Sequence, residues 1–301
     1  MLHGNVPILA TAFTDDDNVD LKSMERFLGF LLEQGIDGIG LFGNASEGYA
    51  LTGREKEEIF ALVRSLAPTL PVVAGAGGAS IVPALESLRQ MEKLGADIAM
   101  VNPPSVVKPD PGQCYDFYAA LAKGCGMEIM IQDAPMMSGV AMPVDILVRL
   151  CRDFPTIRYI KAEAPPTTLK ITKLKTELGD AGAVFGGLNG AFLFEELERG
   201  IVGTMPACEF PDVVNAILRA HAAGDIAGAR DAFYRYLPFI RYGTQPGIGV
   251  SVHKEVLHTS GAFATRAVRM PAKVLDETTR NELDHLLKTL PLAIMTAFRT
   301  A

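Results

Sequence analysis

Apolar and polar positions along the chain follow two alternating periods. Short runs rich in β-branched residues at 6–13, 38–42, 71–75, 97–101, 128–131, 157–164, 183–185 and 201–204 predict strands. Between them lie stretches in which apolar residues return every three or four positions. Residues 21–34, with Met24, Phe27, Leu28, Leu31 and Leu32, predict the first helix, and 54–66, with Ile59, Phe60, Leu62 and Val63, the second. Further helices are predicted over 80–94, 113–122, 143–151, 168–178, 191–199 and 211–223. The strand-plus-helix unit repeats at roughly 25 to 35 residues, the size of a βα unit, and eight such units follow one another. A continuous βα series of that number predicts a (β/α)8 TIM barrel, with a doubly wound open sheet as the alternative. The first βα turns contain neither G-x-G-x-x-G nor G-x-x-x-x-G-K-[ST], which removes the usual reason to prefer the open sheet.

Past residue 223 the pattern turns wholly helical, over 226–242, about 247–259 and 277–290. Apolar faces such as Phe233, Leu237 and Ile240 are too small to form a core of their own. The expected organisation is a barrel over 1–223 and a C-terminal helical extension over 224–301 packed on it, as one structural unit.

At 301 residues and 49% hydrophobic content, the chain can bury the core of a single barrel. Its net charge of -7 argues against nucleic acid or an anionic membrane as partner, since both are bound through positive surface. Cys114, Cys125, Cys151 and Cys208 lie far apart with no CxxC pair, so neither a disulfide framework nor a zinc site is expected. Asp15-Asp16-Asp17 lacks the spacing of a calcium loop and reads as a solvated turn. No metal is expected. Without a charged segment leading into an apolar one at Met1, and without an apolar stretch of membrane-spanning length, a cytoplasmic location is expected.

In a (β/α)8 barrel the reacting groups stand at the C-terminal ends of the strands. Strand six ends in Tyr159-Ile160-Lys161-Ala162-Glu163. A lysine is rarely left inside an apolar strand unless it is paired or chemically used, because desolvating the ammonium is costly. Burial favours the neutral amine, which is the nucleophile that forms a Schiff base with a carbonyl. The bland alternative is a lysine reaching from the strand end into solvent. Alternation places Glu163 on the same side as Lys161. The other strand ends are Gly43-Asn44-Ala45-Ser46-Glu47-Gly48, Asn102-Pro103-Pro104-Ser105, Gln132-Asp133-Ala134-Pro135 and Gly186-Gly187-Leu188-Asn189.

Taken together, the Gly-x-x-x-Glu turn, the x-x-x-Pro turn after strand five, the Ile-Lys-x-x strand and the Gly-Gly turn resemble the dihydrodipicolinate synthase and N-acetylneuraminate lyase family. The resemblance extends over nearly the whole chain, including Lys254-Glu255-Val256-Leu257 and Arg269-Met270-Pro271. It implies a homotetramer or homodimer of barrels that forms a Schiff base between Lys161 and a 2-oxo acid without other cofactor. It also implies that the backbone amides of Gly43, Asn44, Ala45 and Ser46 hold the acid's carboxylate, a role suited to a turn whose N–H groups converge. Met137 and Gly187 are expected against the rest of the substrate.

Departures from the family pattern are equally specific. The usual Gly-Thr-Thr-Gly-Glu turn lacks both threonines here, the strand-five tyrosine is Gln132, and the second tyrosine of the synthase relay aligns with Ser105 or a proline. The arginine that grips the synthase's second substrate aligns with Met136 or Met137. A carboxamide cannot exchange a proton near neutral pH, so the phenol relay is missing. This pattern looks most like the family's 2-keto-3-deoxy sugar acid dehydratases, with Glu163 as proton carrier and Gln132 orienting a hydroxyl. An aldolase or dihydrodipicolinate synthase-like condensation is the alternative, and a non-catalytic barrel that binds a small acid is the third reading. Glu47 is expected to anchor its turn or cap a helix, and His253 and His258 to be surface or satisfied core residues.

Overall fold

A computed structural model describes residues 1–298. Its strands are β1 Gly4–Asn5, β2 Ile39–Leu41, β3 Val72–Ala76, β4 Ile98–Val101, β5 Glu128–Asp133, β6 Ile157–Ala162, β7 Ala183–Gly186 and β8 Gly203–Thr204. The barrel helices are α1 Leu21–Glu33, α2 Gly53–Leu66, α3 Ile81–Leu94, α4 Pro111–Gly124, α5 Pro135–Ser138, α6 Val144–Asp153, α7 Thr167–Leu178, α8 Leu193–Leu197 and α9 Pro211–Ala222. Then come α10 Ile226–Tyr242, α11 Gly249–Thr259, α12 Glu277–Thr289 and α13 Ile294–Ala297.

All strand pairs are parallel, in the order β1-β8-β7-β6-β5-β4-β3-β2. The run expected as a strand over 6–13 closes the ring. Val6 N donates to Thr204 O at 3.0 Å and Ile8 N to Pro206 O at 2.8 Å, while Leu9 N donates to Gly40 O and Gly40 N to Pro7 O, each at 2.9 Å. This segment therefore hydrogen-bonds to both neighbours, which settles the expected (β/α)8 barrel against an open sheet. Only Gly4–Asn5 is regular strand, because Pro7 has no N–H to continue the ladder.

Alternation along the strands sorts side chains into two layers. Val73, Met100, Met130, Tyr159 and Phe185 fill the barrel interior. Their neighbours Ile129, Ile131, Ile160 and Val184 face outward and join a second core with Phe27, Leu88, Leu147 and Ile171 of the surrounding helices. Two helices are fixed at their starts by reciprocal capping boxes, Thr52 with Glu55 on α2 and Asp110 with Gln113 on α4. The sequence pattern misses α5, a single turn after Pro135 stopped by Gly139 at φ 68°, and it overextends 191–199. There Leu188 and Asn189 take positive φ and break the chain into a 3-10 turn before α8.

The C-terminal helices lie against the barrel. Phe263, after α11, packs edge-on against Phe27 of α1 at 5.7 Å. Arg269 donates to Glu55 of α2 at 2.6 and 3.0 Å and to Asp17 Oδ1 at 2.9 Å, and stacks 4.3 Å from the Phe13 ring centroid. Among the described residues, no helix is long and apolar enough to cross a membrane.

Two measurements test this packing. Phe185 is fully buried, faces Tyr159 edge-on at 6.0 Å and sits beside Lys161 in the β6–β7 register. Phe185→Ala should cost about 3–5 kcal/mol, read as a lowered urea midpoint. The second concerns acid. The Arg269 hydrogen bonds hold Glu55 down at about 2, against an ordinary value of 4.5. A depressed carboxylate stabilises the fold fully above its unfolded value and loses that contribution as pH falls through the folded one. The difference in urea midpoint between the wild type and Arg269→Met should therefore be largest above about pH 5 and shrink towards about pH 2.

Candidate active site

Two residues beyond three of the interior side chains, the same alternation delivers a polar one, while Gly75 and Gly187 stand two beyond Val73 and Phe185. Asn102 follows Met100, Gln132 follows Met130 and Lys161 follows Tyr159, with Glu163 one pleat further on. In the parallel register Gln132 pairs with Lys161. Lys161 is only 4% exposed, and its Nζ lies 3.4 Å from Glu163 Oε2. That oxygen accepts from Gln132 Nε2 at 2.8 Å, and Oε1 accepts from Leu188 N at 2.9 Å. A carboxylate only accepts, so Gln132 must turn its nitrogen to Glu163 and its oxygen away. The oxygen accepts from Asn102 Nδ2 at 2.8 Å. Asn102 Oδ1 is buried without a hydrogen-bond partner among the described residues, so the series Lys161–Glu163–Gln132–Asn102 ends in an open acceptor. A Cβ on Gly187 would overlap the Glu163 side chain, which explains glycine there.

The backbone beneath this series is fixed by a buried ion pair. Glu163 N donates to Asp133 O at 3.0 Å. The fully buried Asp133 carboxylate lies 2.5 Å from Lys170 Nζ of α7, which also donates to Met142 O at 2.7 Å. Burial raises the Asp133 pKa and the Lys170 charge opposes that rise.

The turn after β2 is strained, with Phe42 at φ 59° and Glu47 at φ 53°. Ser46 N and Gly48 N return to Gly43 O at 3.1 and 3.2 Å, and Glu47 N to Asn44 O at 3.0 Å. The amides of Gly43, Asn44 and Ala45 have no such partner among the described residues and are free to meet an anion. Ser46 differs from expectation: its hydroxyl donates to Leu9 O at 2.5 Å and its carbonyl accepts from Thr11 Oγ1 at 2.7 Å. Its hydrogen-bonding proton is directed at β1-side backbone, so Ser46 supports the turn from behind. Glu47 is fully buried, paired with Lys254 of α11 and accepting from Arg269 N at 2.7 Å, which fits the anchoring role expected of it.

A cavity of about 350 Å³ opens at the strand ends, lined by Gly43, Asn44, Lys56, Asn102, Gln132 and Met137. Met137 points in and Met136 out, at 70% exposure. Lys161, Glu163, Ala45, Ser46 and Gly187 lie outside its lining; Gln132, which lines it, connects it to Glu163 by the 2.8 Å hydrogen bond. Sequence reasoning missed three participants. Asn102 was readable from alternation above Met100. Lys56, whose pKa burial lowers, and Lys254 were not, because neither stands at a strand end: Lys56 is on α2 just past the turn, and Lys254 arrives from α11 of the C-terminal extension. His253 is buried with Nδ1 2.7 Å from Glu209 Oε1, and His258 contacts Phe263 O, so neither joins the site. All four cysteines are unpaired and buried, and no cluster of potential metal ligands occurs among the described residues.

Comparison with known proteins agrees with this fold. Over 298 residues the chain is 30% identical to an L-2-keto-3-deoxyarabonate dehydratase of Azospirillum brasilense, covering 97% of this chain and 96% of that one. It is 27% identical over 296 residues to a 4-hydroxy-tetrahydrodipicolinate synthase of Methanosarcina mazei, covering 96% and 99% respectively. Among solved structures, dihydrodipicolinate synthase from Rhodopseudomonas palustris superposes with a TM-score of 0.89 at 28% identity, over 96% of this chain and 97% of that one. Residues 1–290 match the family as a whole. A closed parallel barrel carrying a buried lysine at the end of β6, matched from end to end by these relatives, belongs to the dihydrodipicolinate synthetase family of lyases.

Proposed function

We propose that this chain dehydrates a five- or six-carbon 2-keto-3-deoxy sugar acid through a Schiff base on Lys161. The observation that carries the reading is the polar series Lys161–Glu163–Gln132–Asn102, joined by an ion pair and two hydrogen bonds, in which a carboxylate adjoins the amine and a carboxamide stands where a proton-shuttling phenol would serve an aldolase. Full-length similarity to a 2-keto-3-deoxyarabonate dehydratase points the same way.

The acid's carboxylate rests on the free amides of Asn44 and Ala45, where a turn start favours negative charge. Lys161 Nζ adds to the C2 carbonyl and the carbinolamine loses water to give an iminium. C3 is then two bonds from Nζ and acidified. Glu163, with Oε2 3.4 Å from that nitrogen, takes the C3 proton and leaves an enamine. The enamine expels the C4 hydroxyl, which collects the proton held by Glu163 and departs as water. Hydrolysis of the remaining imine frees Lys161 and a product one water lighter than the substrate. Gln132 and Asn102 orient the leaving hydroxyl, one by its second N–H and the other by its open Oδ1. Retro-aldol cleavage instead requires a base on the C4 hydroxyl, which a carboxamide cannot supply.

A synthase reaction fits less well. Met137, which lines the cavity, cannot make the bidentate, charge-assisted contact an arginine gives a second carboxylate, worth about 1.5–3 kcal/mol.

Borohydride added with pyruvate or a 2-keto-3-deoxy acid should fix the ligand's mass on the peptide containing Lys161, and Lys161→Ala should abolish it. Trapping that survives this substitution would refute the imine. Product analysis by NMR tests the reaction itself: dehydrated 2-oxo acid should dominate, whereas pyruvate plus an aldehyde would make the protein an aldolase. Glu163→Gln should slow turnover by about 10² to 10⁴ while leaving trapping intact. A full rate in that variant would remove Glu163 as proton carrier.

A further inference from the structure

The turn 43–48 is held from behind by charges that belong to four other segments of the chain. Glu47, fully buried and at φ 53°, divides its carboxylate between Lys254 Nζ and Arg269 N, the latter at 2.7 Å. Lys254 is 1% exposed, donates to Ala267 O at 2.8 Å and sits 4.0 Å from the Phe13 ring centroid. Arg269 is neutralised in turn by Glu55 of α2 and Asp17 of the loop before α1. Lys254 is thus a second lysine as buried as Lys161, and the proton transfers drawn above do not use it.

We propose that Lys254 is a positioning residue for the 2-oxo acid: through Glu47 it fixes the turn so that the Asn44 and Ala45 amides converge on the substrate carboxylate. The inference rests on reading that turn as the carboxylate site. Two effects act together. The ion pair and the Arg269 bond hold Glu47 in a left-handed conformation that a non-glycine residue does not choose alone. Lys254 also cancels the Glu47 charge, which would otherwise lie beneath a bound anion and repel it within a site shielded from water. Helix α11 of the C-terminal extension therefore reaches into the substrate site without lining it.

The test compares Lys254→Met with the double variant Glu47→Gln/Lys254→Met, which leaves no charge buried alone and so remains informative if the single variant does not fold. The readout is the pyruvate concentration giving half-maximal borohydride trapping at Lys161, with folding checked by circular dichroism. Lys254→Met should raise it by about tenfold or more, and the double variant by about three- to tenfold, with the extent of trapping at saturation kept. Burial lowers the Lys254 pKa to about 8. Above that pH Lys254 is neutral in the wild type too, so the wild-type advantage over the double variant should shrink between about pH 7 and pH 9, an effect Lys161 cannot produce because it is present unchanged in both proteins. A folded double variant trapping within about twofold of wild type, or an advantage that does not change with pH, overturns the proposal. Wild-type protein that traps no pyruvate would refute the imine reading and this inference with it. Normal wild-type trapping with unchanged variants would refute this inference alone.

Discussion

Most of the site follows from one constraint: a lysine inside a barrel needs a partner that is itself satisfied. Lys161 faces the interior because Tyr159, two residues earlier, does, and the layer of Met100, Met130, Tyr159 and Phe185 forms a dry floor beneath it. An ammonium or carboxylate there without further bonds would cost several kcal/mol. Glu163 meets the need because it has donors of its own, the Leu188 amide and the Gln132 carboxamide. Gln132 is oriented in turn by Asn102. Each group dictates the rotamer of the next.

A second set of buried charges acts on backbone. Asp133 with Lys170 secures the end of β5, and Glu47 with Lys254 secures the turn after β2. Both lie behind the strand ends, where breaking a pair would strand a charge in low dielectric. The strained φ values at Phe42, Glu47, Leu188 and Asn189 gather at this same rim. Strain at the mouth above a regular barrel is what a rigid scaffold permits: packing below resists relaxation while the loops present amides and side chains inward.

The C-terminal helices connect the two features. Arg269 bridges the acidic loop at Asp17, the start of α2 and the turn residue Glu47. What reads along the chain as a solvated Asp15-Asp16-Asp17 segment supplies, in Asp17, a partner for that arginine, and the extension carries Lys254 beneath the turn after β2.

The sequence alone determined the barrel and the strand-end positions of Lys161, Glu163 and Gln132, because period-two and period-3.6 burial are local properties that eight repeated units display openly. It also exposed the missing phenol and arginine, since those are matters of residue type at recognisable turns. Only the tertiary structure decided which amides of the 43–46 turn are free, that the Ser46 hydroxyl faces Leu9, that Met137 and not Met136 meets the cavity, and that Asn102 completes the polar series. The physical reason is common to the three that concern hydrogen bonds. A hydrogen-bond donor is spent on whichever acceptor the fold brings within about 3 Å, and partners such as Leu9 and Ser46, or Glu47 and Lys254, lie far apart in sequence until the barrel closes and the extension docks.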